Sequence, residues 1–382
     1  MATALIFGAS GITGWSLMRE CLVYPTPTTF QRVIALTNRP LHKDVAFVPA
    51  DERLEIYSGL DLSHKEQVGM QLQSIPGIHL VTHVYFAAYT GHGSSYQELK
   101  RANVEILANA LLTVMPLCPR LMFWTLQTGG KAYGVEFHDE VDYNPPLKES
   151  SPRIPQPHAS NIFYYAQYDL MTQAAQGKNW TFCEIRPDAI IGFVPQGNAM
   201  NMAQGLGLFL SLYAAVEGRG ATVAFPGNEE AWNAPHTDTS QDLLARFHIF
   251  ASLHKRQDEI SRRAFNVADG PPVTWREIWP GVCEYFGLSG VGPSSSAQDQ
   301  ATGAQWVQSH QSDWASYEQQ HGLRPGALAA TDFDFMTAIL NIPFRRDYDL
   351  SAAREIGFEE ALDHVVAYTV AFDRMREARI IA

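Results

Sequence analysis

The feature that most constrains this chain is a glycine triplet directly after its first apolar run. Residues 4–7 (ALIF) have the character of a short buried strand. Three glycines follow in the spacing GxxGxxG, at Gly8, Gly11 and Gly14, and an apolar-periodic stretch from Trp15 predicts a helix. In such a turn the first glycine permits the bend, the second lets a pyrophosphate approach the backbone, and the third lets the helix pack on the strand. The sequence therefore predicts a dinucleotide-binding loop.

Further apolar runs alternate with helical patterns downstream, at residues 33–36, 55–57, 83–88, 121–126 and 182–186. This alternation indicates βαβ units and a parallel sheet with helices on both faces, an α/β fold of the Rossmann type with a doubly wound sheet.

The expected domain boundary lies near residue 195. We expect the nucleotide-binding domain over residues 1–195 and a smaller, mainly helical substrate-binding domain over residues 196–382. Strands near residues 222–225 and 265–267 are expected to return to the first domain. The Ser/Gly/Gln-rich region 289–305 predicts a loop, and residues 358–379 predict a final helix.

The composition restricts the classes of function that this chain can have. Hydrophobic residues make up 46% of the 382 residues and charged residues 18%, which is typical of a globular enzyme. Forty acidic against 28 basic residues give a net charge of −12, which disfavours nucleic acids and anionic membranes as partners.

The longest apolar run, residues 206–216, is shorter than the roughly 20 residues that cross a bilayer. Four scattered cysteines signal neither a disulfide scaffold nor a zinc site. We expect a cytoplasmic enzyme, a monomer or homodimer, without a metal.

The end of the second strand bears on the choice of cofactor. A carboxylate there would hydrogen-bond the ribose of NADH, whereas an arginine accommodates the additional phosphate of NADPH. The chain has Thr37, Asn38 and Arg39 at this point, so NADPH is favoured; alternatively, Arg39 is a solvated surface residue. Asp61, after the third strand, is placed to meet the adenine or to cap the following helix.

A second group of residues points to catalysis. Lys131 follows the fifth strand, whose carboxyl end should face the ligand crevice. An ordinary short-chain dehydrogenase would carry a YxxxK motif about thirty residues later, but no lysine follows Tyr164 or Tyr165 at that spacing, where the chain has Tyr168 and Asp169. Either the catalytic pair is absent or its lysine comes from elsewhere.

Segments spread over nearly the whole chain resemble the progesterone 5β-reductase/iridoid synthase-like (PRISE) family, an atypical branch of the extended short-chain dehydrogenases/reductases. The resemblance lies in the glycine loop and in residues 38–40, 127–131, 163–165, 186–187, 191–195, 225–227, 231–232, 264–270 and 379–381.

The resemblance implies that the catalytic lysine follows the fifth strand and that the tyrosine is the first of the paired tyrosines, here Lys131 and Tyr164. Two departures stand out. Asn38 occupies one of two positions where the family commonly has arginines, and Tyr168 stands where it often has an acidic residue. The implied cofactor contacts are Gly8, Ser10, Gly11, Ile12, Thr13, Gly14, Asn38, Arg39, Asp61, Leu62, Ala87, Thr128, Lys131, Tyr164, Pro187 and Ile190.

The resemblance further implies NADPH-dependent reduction of activated C=C bonds in a small hydrophobic carbonyl substrate, of terpenoid, steroid-like or polyketide type. Tyr164, assisted by the charge of Lys131, would stabilise the developing enolate. The pocket is expected among residues 206–216, including Phe209 and Tyr213, and near Trp314 and residues 333–340. The alternatives are a ketone reductase, an NAD(P)-assisted cyclase or isomerase, and a redox-silent sensor of NADPH.

Overall fold

A computed structural model describes residues 2–91, 93–294 and 303–382. The strands in these ranges are β1 (Ala2–Phe7), β2 (Phe30–Thr37), β3 (Leu54–Ser58), β4 (His83–Phe86), β5 (Phe123–Gln127), β6 (Thr181–Pro187), β7 (Ala189–Ile191), β8 (Thr222–Ala224), β9 (Asp238–Ser240), β10 (Ala264–Val267) and β11 (Ser289–Val291). The α-helices there are α1 (Ile12–Val23), α2 (Lys65–Ser74), α3 (Tyr96–Leu117), α4 (Phe163–Ala174), α5 (Met202–Glu217), α6 (Glu229–Asn233), α7 (Gln241–Leu253), α8 (Trp275–Glu284), α9 (Gly303–Ser309), α10 (Gln311–His321), α11 (Phe333–Leu340), α12 (Ser351–Glu355) and α13 (His364–Glu377).

Seven strands form one parallel sheet in the order β10-β6-β5-β4-β1-β2-β3. In β1, Leu5 lies opposite Ile34 on one side and Val84 on the other. Strands covered by helices on both faces are mostly apolar, which is why the sequence identifies them. The predicted Rossmann-type α/β fold is confirmed. Chain order reverses between β1 and β4, and ligands of such sheets bind at the carboxyl ends of the strands beside that point.

Aromatic packing fixes the central strands. The rings of Phe7, Phe86 and Trp124 have centroids 5.7 to 6.2 Å apart, and each side chain is buried. Helix α3 contributes Leu107 and Leu111 to the same core. This packing holds β1, β4 and β5 together, so that the loops leaving them start from fixed positions.

The chain divides into two compact units. The first comprises Met1–Asp188, Leu244–Val267 and Asp349–Glu359, and contains the seven-stranded sheet. The second comprises Ala189–Leu243, Ala268–Tyr348 and Glu360–Ala382. It contains two sheets of two strands each and most of the later helices.

The expectation for residues 222–225 is wrong, because β8 pairs in parallel with β11, Thr222 opposite Ser289, in the second unit. The apolar run TVAF indicates a strand but carries no information about its partner. The same pairing corrects the start of the loop expected over residues 289–305. The part of that loop at residues 295–302 lies outside the described residues. Strand β10, by contrast, pairs with β6 at the edge of the large sheet.

The final helix begins later than its apolar pattern suggests. Helix α13 starts at His364 rather than near Phe358, because the carboxylate of Asp363 accepts hydrogen bonds from the amides of Val365 and Val366 and caps it. Among the described residues, none of the helices has the length and apolar character that a membrane span requires.

Candidate active site

The glycine loop joins β1 to α1 in the geometry that a dinucleotide site requires. Gly8 has φ +81°, and a Cβ there would lie 2.7 Å from the carbonyl oxygen of Ala87. A Cβ on Gly14 would lie 2.1 Å from the carbonyl oxygen of Gly8, whereas one on Gly11 would lie 3.3 Å from it. Two of the three glycines are therefore required by close packing, and the loop is held against the end of β4.

The first turn of α1 suits an anion. Its N-cap is Gly11, no side chain caps it, and the turn contains no acidic residue. The amides of Ile12 and Thr13 are therefore left for a ligand at the positive end of the helix dipole. These features fit a pyrophosphate, and Ser10 lies in the loop directly before the N-cap residue Gly11.

The loops after β2 and β3 are joined by backbone hydrogen bonds. The amide of Gly59 donates to the carbonyl of Asn38 over 3.1 Å, and that of Leu60 donates to Thr37 over 3.0 Å. Arg39 is exposed, and its guanidinium forms no hydrogen bond or ion pair with any part of the described chain. It is thus open to an anionic ligand.

Asp61 does not cap α2, whose N-cap is His64. One carboxylate oxygen of Asp61 instead accepts from the amide and hydroxyl of Ser63, at 2.9 and 2.7 Å. These bonds hold the pKa of Asp61 below its usual value. The adjacent Leu62 is buried, and its carbonyl accepts from Asn109.

The loop after β5 is anchored to β6. The hydroxyl of Thr128 donates to the carboxylate of Glu184 over 2.7 Å, and its amide donates to the carbonyl of Ile185 over 2.8 Å. Both donors of Thr128 are therefore engaged within the fold, which leaves its carbonyl for a cofactor. A Cβ on Gly129 would lie 3.3 Å from the carbonyl oxygen of Pro187.

Tyr164, in the first turn of α4, lies beside this loop. A Cβ on Gly129 would be 3.5 Å from the hydroxyl oxygen of Tyr164. That hydroxyl forms no hydrogen bond among the described residues, whereas the hydroxyl of Tyr165 donates to Ala132 and accepts from the amide of Ile154. The first of the paired tyrosines is therefore free to bind a ligand, and the second is a structural residue.

Lys131, which was expected to assist Tyr164, forms its ion pair with a different side chain. Lys131 lies on the 3-10 turn Gly130–Tyr133, and its ammonium group donates to the carboxylate of Glu136 over 2.8 Å. The pKa of Tyr164 is raised, first by burial and then by the charges of Tyr89, Glu136 and Glu184. The charge of Lys131 is thus paired with Glu136 in this structure and is not among the charges that shift the pKa of Tyr164.

Pro187 and Ile190, the last predicted cofactor contacts, fall in different units. Pro187 ends β6 in the first unit, and Ile190 lies in β7 of the second unit, paired with Thr239 of β9.

Three residues near this site were missed by the sequence reasoning. Tyr89, three residues beyond β4, is 43% exposed and stacks on Phe163 with a centroid distance of 6.1 Å. Glu136 follows Lys131 by five residues, and this spacing does not identify it as part of the site. Glu184 could have been suspected, because it and Arg186 are opposite charges two residues apart in an otherwise apolar strand.

The aromatic groups expected around the substrate lie in the second unit. Phe209 and Tyr213 pack on Trp306, with centroids 5.8 and 4.9 Å away. A cavity of about 550 Å³ is lined by residues of α9, α10 and α11 and of the segment between α10 and α11, and Trp314 and Phe333 are among them.

Comparison with known proteins agrees with the resemblance seen in the sequence. The model of the PRISE-like Rossmann-fold domain matches residues 4–382. The short chain dehydrogenase ausT of Aspergillus calidoustus is 38% identical over 99% of this chain and 94% of its own length. The (S)-8-oxocitronellyl enol synthase ISY2 of Nepeta cataria is 31% identical over 75% of this chain and 68% of its own.

Among solved structures, the GDP-mannoheptose C4 reductase of Campylobacter jejuni, with NADP bound, has a TM-score of 0.63 at 12% identity over 98% of both chains. At that identity the likeness concerns the fold alone. The family model and the relatives that span the chain lead to a firm assignment: this chain belongs to the PRISE-like family and is an enzyme of the short-chain dehydrogenase/reductase superfamily.

Proposed function

We propose that this enzyme uses NADPH to reduce activated C=C bonds in small hydrophobic enones or enals. The observation that carries the proposal is the hydroxyl of the half-buried Tyr164, which lies 3.5 Å from where a Cβ on Gly129 would be, has no hydrogen-bond partner in the described structure and belongs to a phenol whose pKa is raised. A phenol that stays protonated is a hydrogen-bond donor, which reduction of an enone requires as negative charge moves onto the carbonyl oxygen.

The cofactor would be held mainly by the glycine loop. The amides at the start of α1 would bind the pyrophosphate, and Arg39 would bind the phosphate that distinguishes NADPH from NADH. The bound nicotinamide supplies the hydride. Lys131 extends from the loop after β5, where its ammonium group would contribute positive charge near the ribose or the reacting carbonyl.

The role of Tyr164 is to donate a hydrogen bond to the carbonyl oxygen as it becomes an oxyanion. Loss of one such donor typically lowers turnover by about a hundredfold to a thousandfold. The enol synthase relative is named for an enol product, which agrees with stabilisation of an enolate by the same tyrosine.

The test is NADPH consumption by the purified protein with a panel of 2-enones and enals, with products identified by mass. Tyr164→Phe should lose about a hundredfold or more in turnover. Tyr168→Phe is the matched control, because its hydroxyl lies on the same helix and donates to the carbonyl of Arg262. Saturation of the C=C bond that is equally fast in both variants would overturn the role of Tyr164, and the absence of C=C reduction across the panel would overturn the proposed reaction.

The alternatives differ in the fate of the hydride. With 4-deuterated NADPH, a ketone reductase places deuterium on the carbinol carbon, whereas an enone reductase places it on the β-carbon. A cyclase or isomerase consumes no net cofactor.

The cofactor preference has its own test. Arg39→Ala should raise the KM for NADPH about tenfold, equivalent to about 1.4 kcal/mol, and leave the KM for NADH nearly unchanged. Arg120→Ala, another exposed arginine in the first unit, serves as the control. Equal effects of Arg39→Ala on both cofactors would contradict the assignment.

A further inference from the structure

A second cavity, of about 530 Å³, lies in the first unit beside the edge of the large sheet, where β6 pairs with β10. It is lined by residues of the segment before α4, of α4 itself, of β6, of β10 and the two residues before it, and of α12. Neither Lys131 nor Tyr164 is among the described residues that line it. Small-molecule sites typically measure about 300–1,000 Å³, so this space is large enough for a ligand of its own.

Basic side chains are concentrated around this cavity. Five of its sixteen lining residues are lysine or arginine, whereas the whole chain has 28 such residues among 382. They reach the cavity from three separate segments of the chain, and they are Lys148, Arg153, Arg186, Arg262 and Arg263. In a protein with a net charge of −12, such a concentration of positive charge favours an anionic ligand at this place.

The four carboxylates that line the cavity are held by the fold or lie at its edge. Glu184 and Asp349 each accept hydrogen bonds from neighbouring groups of the protein. Glu149 accepts from an amide of β10 over 2.6 Å, and burial raises its pKa, which favours its uncharged form. Glu355 is 67% exposed and lies 3.6 Å from Arg263. The carboxylates therefore do not neutralise all five cations.

Arg262 is the lining cation that has no partner for its side chain. Its guanidinium forms no hydrogen bond or ion pair with any described residue, and its side chain is exposed. The backbone has φ +59°, which is uncommon for a residue other than glycine. This conformation is fixed, because its amide donates to the carbonyl of Phe182 over 2.7 Å and its carbonyl accepts from the hydroxyl of Tyr168 over 2.6 Å. Strained backbone that is held in this way is common where proteins bind ligands.

The cations differ in their depth. The side chain of Arg186 is 12% exposed, whereas those of Arg153 and Lys148 are 44% and 55% exposed. The guanidinium of Arg153 lies over the ring of Tyr165, with a distance of 4.8 Å to the centroid. Guanidinium groups bind carboxylates and phosphates through two parallel hydrogen bonds. One buried cation and several exposed ones suit a ligand with more than one anionic group.

We propose that this cavity is a binding site for a small organic anion that carries at least two negative charges on carboxylate or phosphate groups. One group would meet Arg186 at the inner end of the cavity, and the other would meet Arg262 and Lys148 near the surface. This site is additional to the cofactor loop and does not depend on the reaction that the enzyme catalyses.

The test is isothermal titration calorimetry of the full chain in a buffer free of phosphate and carboxylate. The probes are inorganic phosphate, citrate, and phosphoenolpyruvate, which carries both groups. At least one of them should bind with a Kd below about 1 mM. Binding of both phosphate-containing probes without citrate identifies a phosphate ligand, and binding of citrate identifies a carboxylate ligand. A Kd above about 1 mM for all three probes would overturn the proposal.

The variant Arg262→Gly tests the site itself. It should raise the Kd about tenfold, equivalent to about 1.4 kcal/mol. Because glycine adopts φ +59° without strain, its Tm should be no lower than that of the wild type. Arg379→Gly is the matched control, since Arg379 is also an exposed arginine, has φ +55° and lies in the second unit. Arg39→Ala tests for binding at the cofactor loop. Equal losses in Arg262→Gly and Arg379→Gly, or a loss in Arg39→Ala alone, would show that the anion binds elsewhere and would refute the assignment.

Discussion

The carboxylate of Glu184 accepts a hydrogen bond from the hydroxyl of Thr128 over 2.7 Å, joining the middle of β6 to the first residue after β5. Its other oxygen accepts from Arg186, also over 2.7 Å. Glu184 is 1% exposed, so a buried ion pair supports the start of the loop that carries Lys131. The position of the candidate site therefore depends on a charge inside the sheet.

Replacement of Glu184 by Gln should destabilise the protein. The change keeps the shape of the side chain but leaves the guanidinium of Arg186 without its partner, and breaking a buried pair in this way costs about 3–5 kcal/mol. We expect the free energy of unfolding in urea to fall by about 3 kcal/mol. Glu55→Gln, which removes a half-buried pair with Arg32, should cost less than about 1 kcal/mol. Equal losses in the two variants would contradict this role.

The glycine loop should tolerate no side chain at position 14. Gly14→Ala would force a Cβ to within 2.1 Å of the Gly8 carbonyl oxygen, so the loop must shift and NADPH binding should be lost. Gly69→Ala is the control, because a Cβ in that part of α2 meets no atom within 4 Å. It should raise the free energy of unfolding by about 0.5–1 kcal/mol. Thermal unfolding and a fluorescence titration with NADPH measure the two effects, and retained binding by Gly14→Ala would refute the first.

The large sheet and its cofactor loop could be predicted because their signals are local. Most residues of the buried strands are apolar, and Gly8 and Gly14 stand where the backbone leaves no room for a Cβ. The partner of β8 could not be predicted, since pairing with Ser289 joins segments far apart in sequence. Likewise, the sequence places Lys131 after β5 but does not say that its side chain turns to Glu136.

The two adjacent tyrosines should separate stability from activity. In Tyr165→Phe the carbonyl of Ala132 loses its 2.6 Å bond and the amide of Ile154 its 3.1 Å bond, which should cost about 1–3 kcal/mol of unfolding free energy. Tyr164→Phe breaks no hydrogen bond in the described structure and should change that free energy by less than about 0.5 kcal/mol. Urea unfolding of both variants measures the difference, and a larger loss in Tyr164→Phe would reverse the assignment.

A buried carboxyl in the second unit should make stability depend on pH. One oxygen of Asp269 accepts from the amide of Ser240 over 2.7 Å, while the other is buried without a hydrogen-bond partner in the described structure. Burial raises the pKa of Asp269 to about 8. Below that pH the folded protein holds a proton that the unfolded chain has released above its own pKa of about 4. Stability should therefore decrease as pH rises between about 4 and 8.

Asp269→Asn keeps the acceptor for Ser240 and removes the titration. Between pH 6.5 and 8 the wild type should lose about 1 kcal/mol or more of unfolding free energy relative to Asp269→Asn. His236, whose pKa burial lowers to about 4, is the same in both proteins, so the comparison with Asp269→Asn cancels its contribution. Asp313→Asn, an exposed carboxylate on α10, should retain the wild-type slope. If Asp269→Asn also retains the wild-type dependence of stability on pH, Asp269 is already ionised in the folded protein. A group that contacts its unpartnered oxygen only in solution must then stabilise the charge.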